Sequence, residues 1–197
     1  MRRVILALAC LTVVVAEPAA AHGAVRVTEG IVYGEGRVNQ PERGRVRLLL
    51  DLYRPATRSS RPRPAVVLIH GGGFSGGSRS QPDLVRIARG LARSGVVVAS
   101  MDYRLTPQDP VASRRVARVA AAAPDRPVFD GMVAAVDDTL TALDWLRDRD
   151  RAARLGVDRA RIGLVGGSAG AITAGHVAYA LDDIGVAAPR IRFVGDL

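Results

Sequence analysis

The sequence predicts an α/β fold in which helices cover both faces of a mostly parallel sheet. Two observations lead to this prediction. Short apolar runs without polar alternation, such as AVVLI at 65–69, are typical of parallel strands that are buried on both faces. Segments of helical length, with apolar residues at intervals of three and four, lie between these runs. The alternation extends along 197 residues, 48% of them hydrophobic, and this favours one globular domain.

The individual elements follow from local patterns. Alternating apolar residues such as Leu48, Leu50 and Leu52 predict a strand that buries one face. An apolar stripe predicts helices over 83–95, after Pro82, and over 132–149, and an Ala/Gly-rich helix is predicted after residue 168. Strands are predicted at 25–33, 45–53, 65–69, 96–101, 161–166 and 190–197.

The connection 104–131 is long, with proline breaks around a short Ala/Arg helix. Two interpretations are open: a surface insertion, or a pocket wall or lid at the carboxyl edge of the sheet, where ligands bind in such folds. In the helix that follows, Asp137 and Asp138 are predicted to lie on a solvated charged face.

The first 21 residues have the features of a secretion signal. Arg2 and Arg3 precede an apolar run at 4–16, and the small residues AAA at 19–21 fit a cleavage site. The apolar run is too short to span a bilayer comfortably, so no stable membrane anchor is expected. We therefore predict a signal peptide at 1–21, one mature domain at 22–197, and export to the periplasm or the medium.

The charge of the chain is strongly positive, with a net value of +9. This raises the question of a nucleic-acid partner. The sequence has no Lys, and its Arg residues are spread along the chain, often beside Asp, as in RDRDR at 147–151. Such alternation is typical of a solvated, ion-paired surface. We therefore expect no nucleic-acid partner.

A single serine follows the predicted strand 161–166, within the sequence GGSAG at 166–170. This matches the G-x-S-x-G pattern in its proper context, between a strand and a helix. Gly166 and Gly170 flank a turn too tight for bulky side chains, and the turn lifts the hydroxyl of Ser168 above the sheet. The N–H of Ala169 points at the reacting oxygen. A glycine-rich turn without chemistry is the alternative; a P-loop is excluded because no Lys follows.

Two upstream stretches strengthen the catalytic interpretation. HGGGFSGGS at 70–78 directly follows a buried strand, and its three consecutive glycines, Gly71, Gly72 and Gly73, let the backbone turn N–H groups toward one point. His70 is expected to organise this loop by hydrogen bonding rather than to act as a base. The second stretch, MDYRLTP at 101–107, places Asp102, Tyr103 and Arg104 where they either brace the glycine loop or cap their strand.

Together these motifs resemble the α/β-hydrolase fold, and more narrowly the hormone-sensitive-lipase-like esterases and lipases. Those enzymes carry an HGGG oxyanion loop, a DYRL segment and a GxSxG turn, and DLYRP at 51–55 and ALDWL at 142–146 are also similar to segments of theirs. The resemblance covers about 25–197. It implies Ser168 as the nucleophile, and an oxyanion hole formed by the N–H groups of Gly72, Gly73 and Ala169.

The remaining members of a catalytic triad are harder to place. A serine needs an adjacent base oriented by an acid, and in this fold the order is Ser, Asp or Glu, then His. After Ser168 the only histidine is His176, about 12 Å further along the same helix and too far to take the proton. Asp196 is a candidate acid. We therefore expect that the chain holds the N-terminal two-thirds of the domain, without the C-terminal strands.

These observations predict a secreted serine hydrolase that cleaves small-molecule carboxylic esters through an acyl-enzyme on Ser168. No metal or organic cofactor is implied, since the sequence has no cluster of ligands. Two alternatives stay open: a truncated scaffold that binds without turnover, which the missing histidine favours, and a peptidase of the same fold. Acyl and alcohol specificity and the oligomeric state are not encoded in these patterns.

Overall fold

A seven-stranded mixed sheet is the centre of the fold in the computed structural model, which describes residues 23–187 and 190–197. The predicted signal peptide at 1–21 and His22 lie outside these residues. The sheet order is β5-β1-β2-β4-β3-β6-β7. The strands are β1 (Val25–Val38), β2 (Gly44–Pro55), β3 (Arg63–Ile69), β4 (Val97–Met101), β5 (Pro110–Val111), β6 (Val157–Gly166) and β7 (Val194–Asp196).

The strands β4, β3, β6 and β7 run parallel to one another, whereas β1, β2 and β5 form an antiparallel edge. In the register of β3 and β6, Ile69 pairs with Gly166. The two strands therefore end side by side, and the segments that follow them meet at the carboxyl edge of the sheet. This places the glycine loop next to the serine turn.

Helices cover both faces of the sheet, as predicted. They are α1 (Pro82–Arg93), α2 (Ala117–Ala122), α3 (Pro127–Arg147), α4 (Arg149–Leu155) and α5 (Ala169–Gly175). The apolar run of β3 supplies both cores: Val67 and Ile69 pack into the cluster under α3 and α5, while Val66 and Leu68 pack under α1. Double-sided burial explains why this strand shows no polar alternation.

Several boundaries differ from the prediction. The helix α3 begins at Pro127 rather than at residue 132, since a proline is well placed in the first turn. A separate helix, α4, follows at once, and the Asp148 carboxylate caps it by accepting a hydrogen bond from the N–H of Arg151 at 2.9 Å. The last strand is confined to Val194–Asp196. Among the described residues, no helix has the length and apolarity needed to cross a membrane.

Candidate active site

Ser168 occupies the turn between β6 and α5, in an uncommon backbone conformation. Its φ is 52° and its ψ is −116°, a combination that residues with a side chain rarely adopt. The residue is exposed, although Ala169 and Gly170 beside it are buried. Strain of this kind is found at functional sites, where the surrounding structure holds it in place.

Glycine is required on both sides of this turn because the backbone crosses at close range. A Cβ built on Gly170 would lie 2.2 Å from the carbonyl oxygen of Ile69, and one on Gly166 would lie 2.3 Å from the carbonyl carbon of Gly170. Real Cβ atoms do not approach backbone atoms so closely. The start of α5 is thus pressed against the end of β3, and this contact fixes the position of Ser168.

The glycine loop lies directly beside the serine. A Cβ built on Gly71 would lie 2.9 Å from the carbonyl oxygen of Gly167 and 3.4 Å from the Cβ of Ser168. The carbonyl of Gly72 accepts hydrogen bonds from the N–H groups of Ser75 and Gly76, both at 3.1 Å, and these bonds close the loop into a compact turn.

Several N–H groups near the serine are left free. No described residue accepts a hydrogen bond from the N–H of Gly72 or Gly73. Ala169 is the first residue of α5, so its N–H has no partner within the helix. These are the three amides that the sequence assigns to an oxyanion hole. Their role stays a prediction, but no other acceptor among the described residues competes for the two glycine amides.

His70 is buried at the base of the loop. Its ring stacks on that of Tyr103, with centroids 4.2 Å apart, and its Nδ1–H donates a 2.7 Å hydrogen bond to the carbonyl of Gly71. Burial lowers the pKa of His70 below its ordinary value of 6.5, and the bond to Gly71 offsets this only in part. The ring is therefore neutral at pH 7, with its proton on Nδ1. The Tyr103 hydroxyl donates to the carbonyl of His70 at 3.1 Å.

An arginine that sequence reasoning missed closes the far end of the loop. The Arg79 side chain binds Asp51 through Nε at 2.8 Å and forms an ion pair with Asp102, which also accepts the Arg79 N–H at 2.7 Å. Asp51 accepts a further hydrogen bond from the N–H of Gly30. A buried acid within the apolar run LLLDLY was the available signal, because such a group must have a partner.

Arg104 anchors the segment that follows β4. Its guanidinium binds Asp138 and Asp137 on α3, with Nη2 at 2.7 and 2.9 Å from their oxygens, and its Nη1 donates to the carbonyls of Arg37 and Val111. The prediction that both aspartates lie on a solvated face is therefore wrong: they are 5% and 1% exposed. Their burial is tolerated because Arg104 pairs with both.

The structure does not bring the other candidates into contact with the serine. His176 directly follows the last residue of α5, and its Nδ1–H donates to the carbonyl of Ile172 at 3.1 Å. Asp196 ends β7, in register with Gly166, and is exposed. Neither of the two described histidines hydrogen-bonds to Ser168, so no base is assembled among the residues that the structure describes.

An open groove of about 370 Å³ lies in front of the serine. One side is formed by Gly71, Gly167 and Ser168, and the other by α1 and the residue preceding it. Leu84 and Ile87 supply apolar surface, while Asp83 and Arg86 pair with each other at 2.7 Å. Within 23–187 and 190–197 no group of three or more His, Cys, Asp or Glu could hold a metal ion. The prediction that no cofactor is needed stays a prediction.

Two family models match adjoining parts of the chain. Residues 50–121 match the model described as BD-FAE, and residues 122–194 match the model described as alpha/beta hydrolase fold. The boundary between the matches falls in the connection between β4 and α3. The first match contains the glycine loop, and the second contains the serine turn.

Two of the curated proteins that are similar to the chain are esterases from one organism. The carboxylesterase NlhH of Mycobacterium tuberculosis is 34% identical over 122 residues, which make up 62% of this chain and 31% of that protein. Esterase LipI of the same organism is 30% identical over 62% of this chain and 31% of that protein. The chain thus spans about a third of the length of the curated relatives it matches.

Solved structures of esterases are also similar to the chain. The hyperthermophilic esterase from the archaeon Pyrobaculum calidifontis is 30% identical with a TM-score of 0.57, over 89% of this chain and 44% of that one. Thermogutta terrifontis esterase 2 phosphorylated by paraoxon is 27% identical with a TM-score of 0.54, over 82% and 49% of the two chains.

Proposed function

We propose that the chain belongs to the α/β-hydrolase fold family and is a serine hydrolase acting on small-molecule carboxylic esters, because residues 122–194 match that family's model and the chain is similar to carboxylesterases. The observation that carries this proposal is the conformation of Ser168 beside the free amides of the glycine loop. A bare glycine turn would not require both a strained serine and unpaired N–H groups at the same place.

In the proposed reaction the Ser168 hydroxyl oxygen attacks the ester carbonyl carbon while its proton passes to a base. The carbonyl oxygen gains negative charge, and the N–H groups of Gly72, Gly73 and Ala169 stabilise it. Collapse of this intermediate breaks the bond to the alcohol oxygen, which takes up a proton and leaves. Water then releases the acid and restores the serine.

The structure supports the nucleophile and oxyanion part of this scheme. Within 23–187 and 190–197 it supplies no base, since His70 is buried in the loop and His176 bonds to its own helix. The family order places the acid and the histidine after the serine, and Asp196 is the acid candidate within the chain. We also propose export to the periplasm or the medium, on the sequence pattern of 1–21 alone.

The proposal is tested by hydrolysis of a short-chain p-nitrophenyl ester by the purified chain. We expect turnover above the background of Ser168→Ala by at least about tenfold, because loss of the nucleophile removes the acyl-enzyme route altogether. Ser94→Ala, at an exposed serine after α1, is the matched control and should behave as wild type.

Two results would count against the proposal. Equal turnover in wild type and Ser168→Ala would show that Ser168 is not the nucleophile. A folded wild-type chain with no turnover above background would favour the non-catalytic scaffold, which the missing base already makes a specific alternative.

A further inference from the structure

A concentration of unpaired positive charge lies at the other end of the molecule, in a cavity of about 410 Å³. Six arginines line it and no Asp or Glu does. The rest of the lining is mainly small or neutral, from the β2–β3 connection and the end of α4. The six are Arg26, Arg54, Arg58, Arg61, Arg63 and Arg154.

This cavity is remote from Ser168. Its walls include Arg63 and Val97, which begin β3 and β4, and Gly156, which precedes β6. These are the amino ends of the parallel strands, whereas the serine turn follows the carboxyl end of β6. The seven residues of β3 separate the two edges by about 20 Å. The cavity therefore does not belong to the proposed active site.

Its arginine side chains have almost no partners. Arg63 alone is bonded, to the neutral oxygens of Gly95 and Thr57 at 3.0–3.4 Å. Among the described residues no acceptor binds the other five guanidinium groups, and the Nε of Arg54 is buried without any hydrogen bond. Arg79, Arg104 and Arg115 are paired with acids, whereas none of the six arginines of this cavity forms an ion pair with a described residue.

The sheet register adds to the concentration of charge. Arg26 on β1 stands directly opposite Arg54 on β2. Like charges at paired positions of antiparallel strands are destabilising, and so is a buried N–H donor without an acceptor. An anion with several oxygens would relieve both, because guanidinium groups bind such oxygens through paired, charge-assisted hydrogen bonds.

We propose that this cavity is a binding site for a soluble ligand that carries two or more phosphoryl groups. Several cations without a carboxylate favour a multiply charged anion, and the volume lies in the usual range of small-molecule sites. The exposed large hydrophobic side chains of the described chain all lie outside the lining, which favours a soluble ligand over a lipid surface. They are Val32, Val128, Ile172, Tyr179, Phe193 and Leu197.

The test is calorimetric titration of the purified chain with inorganic pyrophosphate, with sulfate as the reference anion. We expect pyrophosphate to bind more tightly than sulfate. Arg54→Gln and Arg154→Gln should each weaken binding at least about tenfold, as expected for a lost hydrogen bond to a charged group. Arg43→Gln, an exposed arginine at the far end of the β1–β2 hairpin, removes the same charge and should change binding less than about twofold.

Circular dichroism checks that each variant is folded. If Arg54→Gln does not fold, the test is made with Arg154→Gln, because Arg154 is exposed. Equal weakening by Arg43→Gln would overturn the proposal, because binding would then follow net charge. The proposal would also be overturned if pyrophosphate did not bind, or if the chain bound phosphatidylglycerol vesicles but not pyrophosphate. Pyrophosphate binding does not involve Ser168, so the result of this test is independent of the esterase proposal.

Discussion

At the scale of single residues, the geometry of the site depends on glycines at positions that leave no room for a side chain. The turn at Ser168 holds together because Gly170 lets α5 approach the carbonyl of Ile69. The glycine pattern around the serine predicts a tight turn, but only the structure shows that the closest contact at Gly170 is with β3. Gly175, in the same helix, has no neighbour within 4 Å of a built Cβ.

This contrast predicts opposite effects for two identical substitutions. Gly170→Ala should lower the free energy of unfolding by about 1–3 kcal/mol or more, because the new methyl group meets backbone that cannot move aside. Gly175→Ala should be neutral or raise it by up to about 1 kcal/mol, as expected for alanine in a helix. Urea unfolding of the two variants is the measurement, and equal effects would show that the close contact does not constrain the turn.

His70 predicts how stability responds to pH. Burial lowers its pKa in the folded state, so between that pKa and the ordinary value of 6.5 the unfolded chain binds a proton that the folded chain does not. The contribution of neutral His70 is therefore complete above pH 6.5 and is lost as the pH falls below it. Unfolding free energies from pH 7 to 5 should decrease more for wild type than for His70→Asn, and parallel curves would contradict this role.

At the scale of elements, the segments after β3 and β4 are tied to the rest of the fold by two arginines. Arg79 joins the end of the glycine loop to β2 and to Asp102, and Arg104 joins the next segment to α3. Tyr103, between Asp102 and Arg104, supports His70. Three consecutive residues after β4 thus hold three different partners in place around the loop.

The buried ion pair predicts a large effect with a matched control. Arg104→Gln should lower the free energy of unfolding by about 3–5 kcal/mol, because it leaves two buried carboxylates without their cation. Arg115→Gln breaks the exposed pair with Asp144 and should cost at most about 1 kcal/mol. Chemical denaturation compares the two, and similar losses would show that burial of the Arg104 pair does not matter.

Sequence patterns predicted those elements whose cause is local. The apolar run of β3 indicates burial on both faces, and GGSAG indicates a turn, because each depends on neighbouring residues alone. Asp137 and Asp138 were predicted to be solvated because a charge without a partner is not buried, and their partner Arg104 lies more than thirty residues away. Arg79 was missed for the same reason, since Asp51 and Asp102 reach it only through the sheet order.

At the scale of the whole molecule, the two edges of one sheet carry different chemistry. The carboxyl edge presents Ser168 and free backbone amides, and the amino edge presents unpaired arginines. The sheet separates them, so a ligand at one edge does not contact the other. The predicted architecture of a mostly parallel sheet with helices on both faces is confirmed, and it explains why the loops after β3 and β6 meet.

The central claim, that this fold presents Ser168 as a nucleophile, is tested most directly by mapping a covalent adduct. The purified chain is treated with a fluorophosphonate probe and digested, and the peptides are sequenced by mass spectrometry. A phosphorus reagent is chosen because an esterase of similar structure is phosphorylated by paraoxon. We predict a single modified peptide, with the phosphonyl group on Ser168. An adduct on Ser75, Ser78 or another serine, with Ser168 unmodified, would contradict the claim.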